Sequence, residues 1–404
     1  MTKKIPLGIV IAIVLISILF SSVITAFVFV RNNSELLNDL PQRASQYIKL
    51  SDIDELVRNE YYGSIDASRI DSSLTNGYLI GLNDPYCYYI SKDEKEEHNR
   101  FMAGLLSGTG ITAYFDSDSG YLRINYVSPD SPASNAGLTT ELFIASVNGK
   151  TVSSENSDDI ISELSESFDK KLKLTTIDIA DPTKSSDFEI VSGYRAKSCY
   201  SSINGNIGYI RLSALYEDTY SSFISAIDTF TEKGISSLIL DLRNSSANDL
   251  DIASQIIDRI VPVGDEGTGN IFTAKNSSGE LIHQVSSDAQ SLNMKIAVLI
   301  NSRTDGAPEL IACDLRDFGK AVLIGEQTVG RGTMQKMFSM EDGGSVSLTV
   351  AEVFPYISNS FNNVGVKPDI EIVTSESFKN RIEFMDNFDD DEQYQKAISY
   401  LNGN

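Results

Sequence analysis

The stretch from Ile296 to Gln335 restricts the fold of this chain more than any other. It opens with an unbroken apolar run, Ile296-Ala297-Val298-Leu299-Ile300, that ends at Asn301. Consecutive apolar residues bounded by polar ones read as a strand buried on both faces. A polar turn follows, then a helix from about Pro308 to Asp317, then a second strand, Ala321 to Ile324, running into Gly325-Glu326. Thr328-Val329-Gly330-Arg331-Gly332 and Gln335 close the unit. The same alternation extends over residues 195 to 375, with strands at 207–212 and 238–242 and helices at 219–230 and 250–260. Strands alternating with helices define an α/β core.

At 404 residues the chain exceeds one ordinary domain and suggests two or three. A formal charge of −23 argues against nucleic acid or anionic lipid headgroups as principal partners. The two histidines, His98 and His283, leave little material for a Ser–His–Asp triad. Each reads as a surface or structural residue, His98 within the charged run from Lys92 to Arg100. Cys87, Cys199 and Cys313 are scattered and odd in number, so they form neither a disulfide framework nor a metal site. Cys313, in Leu310-Ile311-Ala312-Cys313, reads as a small buried thiol. No cofactor or metal is expected, because no His/Cys/Asp/Glu cluster has ligand spacing.

Several short motifs punctuate the chain: Asp84-Pro85-Tyr86, Gly108-Thr109-Gly110-Ile111, Ser131-Pro132-Ala133, Ala136-Gly137-Leu138, Val147-Asn148-Gly149, Ile207-Gly208-Tyr209-Ile210-Arg211, Asp241-Leu242-Arg243 and Gly365-Val366-Lys367-Pro368-Asp369. Each is weak alone. In this order and at these distances they resemble the C-terminal processing peptidases, or tail-specific proteases, a PDZ-containing Ser–Lys family of serine endopeptidases. The resemblance covers nearly the whole chain. It implies a ClpP/crotonase-like α/β protease core over residues 193–376 with an inserted β-rich PDZ domain over 101–192. A helical arm over 33–100 precedes them, and an acidic linker with a C-terminal helix occupies 377–404.

Matched to that family, this chain lacks the reactive groups. The family's nucleophilic serine falls on Gly306 when the turn is matched from Asn301 and Glu309, and its lysine base, 25 residues on, falls on Arg331. A Ser–Lys dyad needs a lysine that can shed and recover a proton. Glycine offers no nucleophile, and arginine keeps its proton at any physiological pH. Two glycines that supply oxyanion N–H groups in the family are Ala247 and Asn248 here. Glycine allows close backbone approach and positive φ, freedom that the Ala-Asn pair gives up. Gln335, four past Arg331, matches a residue that orients the lysine in some members. The implied protein is a catalytically degenerate member of its family.

At the amino terminus, Ile5 to Val30 is almost unbroken apolar sequence, long enough to cross a bilayer of about 30 Å as a helix. Lys3 and Lys4 precede it, which places the amino terminus in the cytoplasm and the bulk of the chain outside. Residues 1–32 therefore read as a cytoplasmic stub and a retained signal anchor of a single-pass membrane protein. A cleaved signal peptide, cut near Thr25-Ala26, is the alternative.

In the arm, Ser51-Asp52-Ile53-Asp54 resembles a capping box, followed by a helical face of Ile53, Leu56, Val57 and Tyr61. Ile70, Leu74, Tyr78 and Leu82 form a second face, expected to pack on the protein's own body. In the PDZ-like region, Gly108, Thr109, Gly110 and Ile111 form the candidate carboxylate loop, whose successive N–H groups would cradle a peptide's C-terminus. The acidic run Asp389-Asp390-Asp391-Glu392 reads as a solvated linker.

Three functions follow. The first is a membrane-anchored extracytoplasmic pseudoprotease that binds unfolded or C-terminal polypeptide segments without cutting them. The second is an active endopeptidase with a displaced nucleophile at Thr304 or Ser302 and a base at Lys320 or Lys336. The third is a structural subunit that needs no peptide binding and partners an active paralogue; separately, the resemblance implies that the helical arm contributes to a homo-dimer.

Overall fold

The computed structural model describes residues 21–23, 34–261, 270–287, 291–380, 382 and 388–403. The apolar run from Ile5 to Val30 lies outside these residues apart from 21–23. Among the described residues no helix is long and apolar enough to cross a membrane. The chain divides into two units, residues 1–73 and 74–404.

In the first unit, helix α1 (Ser34–Glu60) runs straight through Ser51. The expected capping box is therefore helix interior and starts nothing. Its apolar residues Tyr47, Ile48, Ile53 and Leu56 are exposed, as is Tyr61 just beyond. Helix α2 (Ala67–Ile80) crosses into the second unit. Leu74, Tyr78 and Leu82 are exposed as well, so the face expected to pack on the protein's body is open at these positions.

The second unit continues with β1 (Tyr88–Ile90), α3 (Lys95–Met102) and β2 (Leu105–Leu106). A small β-rich module follows: β3 (Ile111–Asp116), β4 (Tyr121–Val127), the short α4 (Pro132–Asn135), β5 (Leu142–Val147), β6 (Lys150–Thr151), α5 (Ser157–Glu166), β7 (Lys171–Asp178) and β8 (Ser185–Val191). Its sheet has the order β3-β4-β5-β7-β8, antiparallel throughout, with β6 paired to β5. Alternation places Leu122 and Ile124 of β4 and Leu172 and Leu174 of β7 inward, against Ile160 and Leu164 of α5.

After β9 (Tyr194–Arg195) comes the α/β core: β10 (Cys199–Asn204), β11 (Ile207–Leu212), α6 (Thr219–Glu232), β12 (Ser237–Asp241), β13 (Ser246–Ala247), α7 (Leu250–Ile260), β14 (Asn270–Lys275), β15 (Leu281–Ser286), β16 (Lys295–Ile300), β17 (Asp305–Gly306), α8 (Ala307–Asp317), β18 (Ala321–Gly325), β19 (Thr333–Ser339), β20 (Ser345–Pro355), β21 (Ile370–Glu371), α9 (Glu376–Lys379) and α10 (Glu392–Leu401). The main sheet runs β10-β11-β12-β16-β18-β21, parallel from β11 onward. Such strands are covered on both faces, which is why residues 238–240 of β12 and 296–300 of β16 are unbroken apolar runs. Leu238 and Leu240 face a cluster with Phe223, Phe230, Ile256 and Leu310. Ile239, between them, faces Tyr394, Ala397 and Leu401 of α10. Gly208 of β11 is required by this packing, because a Cβ there would lie 2.5 Å from the Phe230 ring. Truncating Phe230 to alanine would remove that contact at a cost of about 3–5 kcal/mol.

A second sheet, β1-β20-β14-β15 with β19 on β20, flanks the core. The loops after β12, β16 and β18 leave neighbouring strands at the same end of the parallel sheet. Ligand sites of open α/β sheets form at that end.

The acidic C-terminal run is not a solvated linker throughout. Asp389, Asp390 and Glu392 are exposed, but Asp391 is fully buried and caps α10 by accepting from the Gln393 and Tyr394 N–H groups. It also pairs with Arg243 at 2.8 Å, with both side chains inaccessible to solvent.

Candidate active site

Three loops converge beyond the carboxyl end of the sheet. The loop after β12 carries Ala247 and Asn248, that after β16 carries Gly306, and that after β18 carries Arg331. Glu309, on the first turn of α8, ties the last two together. One carboxylate oxygen accepts from the Gly306 and Arg331 N–H groups at 2.8 Å each. The other accepts from the Gly330 N–H at 2.7 Å and from the Thr328 hydroxyl. Burial pushes the Glu309 carboxyl up from its ordinary value, and these four donors pull the other way.

The first loop is zipped to the second. Ser246 and Ala247 pair in parallel register with Asp305 and Gly306. The Asp305 N–H donates to the Ser245 carbonyl at 2.9 Å, and the Ser246 hydroxyl donates to the Asp305 carboxylate at 2.9 Å. Gly306 has φ +76, and a side chain there would run into the Ala247 carbonyl oxygen.

Arg331 occupies the remaining wall. Its Cδ lies 3.5 Å from where a Cβ on Gly306 would stand, so the two residues matched from sequence are neighbours. Its guanidinium stacks on Tyr86 at 3.7 Å and pairs with Asp305 at 3.5 Å. Its side chain is only 10% exposed. Gln335 receives a long contact of 3.5 Å from Arg331 and otherwise donates to Thr333 and Thr349 at 2.8 and 3.1 Å. Asn248 follows Ala247 directly. With Gln335, Tyr88, Met102 and both histidines it lines an open cavity of about 350 Å³. Tyr86 and Asp305 were not singled out from sequence, although the Asp84-Pro85-Tyr86 motif held the clue to Tyr86.

The displaced nucleophiles do not meet a base. Thr304 is fully buried, donates to the Leu242 carbonyl at 2.9 Å and accepts from the Asn301 N–H at 3.0 Å. It is a loop fastener, which corrects its reading as a nucleophile. Ser302 is exposed and accepts from the Lys379 ammonium at 2.9 Å. Burial pulls the Lys379 pKa down, but Glu326 and Glu376, at 2.7 and 2.9 Å, outweigh it and hold the amine above its ordinary value. Two carboxylates on the ammonium favour its charged form, the opposite of the depressed lysine that a Ser–Lys dyad needs. Lys320 donates to Ser291, and Lys336 lies over the Phe338 ring, so both are engaged elsewhere. Burial pushes the Cys313 thiol up to about 12, so it too is inert.

The candidate carboxylate loop is largely spoken for. The Gly108 N–H donates to the Ser167 carbonyl at 2.6 Å and the Thr109 N–H to the Leu164 carbonyl at 2.8 Å, both at the end of α5. The Ile111 N–H makes a long contact of 3.4 Å with the Thr109 hydroxyl. A cradle of four free donors is therefore not present. The adjacent edge of β3 remains, since β3 ends its sheet.

This arrangement, with loops at the carboxyl end of a parallel sheet behind a β-rich module, has the fold of S41-type proteases. A putative S41 protease from Bacteroides fragilis NCTC 9343 superposes with a TM-score of 0.53 at 18% identity, covering 81% of this chain and 90% of that one. Residues 206–372 match the model of peptidase family S41. A probable CtpA-like serine protease of Staphylococcus aureus (strain COL) is 26% identical over 371 residues, 90% of this chain and 72% of the relative. The carboxy-terminal processing protease CtpA of Bacillus subtilis (strain 168) is 26% identical over 369 residues, 89% and 76% of the two chains. The family match and these relatives support the C-terminal processing peptidase family for this chain.

Proposed function

We propose that this chain is a non-cleaving member of the C-terminal processing peptidase family that holds polypeptide segments. It acts outside the membrane, tethered by the apolar amino-terminal segment. The observation that carries the reading is the meeting of Gly306, Ala247 and Arg331. No nucleophile stands at 306, the backbone of 247 closes over it, and the cation at 331 is fixed by Tyr86 and Asp305.

Polypeptide binding is assigned to the edge of β3 beside α5, where an extended segment adds a strand through main-chain hydrogen bonds. With two loop donors already bonded internally, the terminal carboxylate contributes little. The test is fluorescence anisotropy of the full chain with an unstructured peptide, once with a free C-terminus and once amidated. Affinities within about threefold of each other, both lost in Tyr114→Pro on β3, support the reading. Binding that survives Tyr114→Pro, or none by either peptide, overturns it.

A further inference from the structure

The two loops that close over the site are held from outside by the carboxyl-terminal part of the chain, and the contacts divide between them. On the loop after β12, Arg243 reaches Asp391 at 3.0 Å and Gln393 at 3.0 Å, and the Asn244 side-chain amide donates to the Lys379 carbonyl at 2.7 Å. On the loop after β16, the Lys379 ammonium donates to Ser302 at 2.9 Å, and Arg303 pairs with Glu376 at 2.7 Å. The two loops meet through Asn301, which accepts from the Asn244 N–H at 3.0 Å and donates to its side-chain oxygen at 2.8 Å. Lys379 also grips Glu326 at the end of β18, and the Gln393 amide donates to the Ile372 carbonyl at 2.7 Å.

Among the described residues no hydrogen bond or ion pair joins this network to Gly306 or Arg331, yet it spans the loops that carry Ala247 and Gly306. Asn244 has φ +56, a conformation that asparagine tolerates better than most residues, and its bonds to Asn301 and Lys379 hold it there. Arg243 and Asp391 are wholly buried, with Asp241 as a second carboxylate on the same guanidinium at 2.6 Å. Such a cluster tolerates no half-measures, because removing one partner leaves an unpaired buried charge.

We infer that Lys379 and Asp391 are positioning residues. Together they form a clasp in cis that sets the loop after β12 against the loop after β16 and so keeps Ala247 over Gly306. The inference goes beyond the non-cleaving reading and stands or falls separately, since it concerns loop spacing and needs no assay of cleavage or peptide binding.

Hydrogen exchange of the full chain tests it, comparing the parent with Lys379→Met and Asp391→Asn. In both variants the Asn244, Thr304 and Asp305 amides exchange about tenfold faster or more, while β3 and β4 amides keep parental rates. Lys379→Arg, which keeps the cation between Glu326 and Glu376, restores loop rates to within about threefold of the parent. Should Asp391→Asn fail to fold, Lys379→Met decides alone. Parental loop rates in Lys379→Met overturn the inference, and so does a rise spread evenly over the whole core, which would mark Lys379 as a mere contributor to stability.

Discussion

The carbonyl oxygen of Ala247 occupies the space into which any side chain on Gly306 would project. The missing nucleophile is therefore more than a point substitution, because the backbone of a neighbouring loop has closed over its place. Restoring the dyad by Gly306→Ser with Arg331→Lys is expected to yield no proteolysis. Serine there would have to adopt φ near +76 and push Ala247 away, at a cost of about 1–3 kcal/mol for the backbone alone. Urea denaturation of Gly306→Ser checks the energetic part. A variant as stable as the parent would mean that the loop moves freely.

Glu309 serves four donors with two oxygens, and an amide cannot do the same. Glu309→Gln presents an NH₂ group to two of them, leaving buried N–H groups facing another donor. The expected loss is about 2–4 kcal/mol, read from the urea midpoint at constant slope. A loss under about 0.5 kcal/mol would contradict the staple.

Arg331 and Asp305 form a pair with side chains 10% and 16% exposed. Arg331→Met should cost about 1–3 kcal/mol, combining a lost stack on Tyr86 with a stranded carboxylate. Adding Asp305→Asn should recover part of it, so the double-mutant cycle shows coupling of about 1 kcal/mol. Strict additivity would mean that the pair does not interact.

Asp314 lies fully buried on α8, with one carboxylate oxygen accepting from the Tyr356 N–H at 2.9 Å and the other without a partner. Burial raises its pKa well above the ordinary value, with the neighbouring Asp317 adding to the effect and the Tyr356 N–H opposing it. A carboxyl whose folded pKa is raised stabilises fully below its unfolded value of about 3.9, and that contribution is lost as pH climbs through the folded value. Asp314→Asn keeps an acceptor for Tyr356 and has no proton to lose. Its stability relative to the parent should therefore rise between pH 5 and pH 8, measured by denaturant midpoints. An unchanged difference across that range would show that the buried Asp314 carboxyl is already ionised at pH 5, and so is not raised as its burial requires.

How far the sequence revealed this protein depended on the range of the interactions involved. β12, β16 and β18 were legible because a strand covered on both faces has to be apolar along its length, whatever lies around it. Gly306 and Arg331 could be brought together only through the resemblance to the C-terminal processing peptidases, and the fold does make them neighbours. Other features depended on distant partners. Asp391 sits among aspartates and looks solvated, yet its burial is decided by Arg243, 148 residues away. The capping box at Ser51 met every local rule, but the helix had already begun at Ser34. The glycine loop at 108–111 has the composition of an anion cradle, and only the fold shows Gly108 and Thr109 bonded to the end of α5. Thr304 as a nucleophile failed for the same reason, since its burial is a tertiary fact.

The most direct test of the central claim is hydrolysis of fluorescently labelled casein by the full chain at neutral pH. The account predicts no release of label above a heat-denatured control, from the parent and from Ser302→Ala alike. Release by the parent that Ser302→Ala abolishes would contradict it, placing a working nucleophile beside Lys379 and making this chain a peptidase after all.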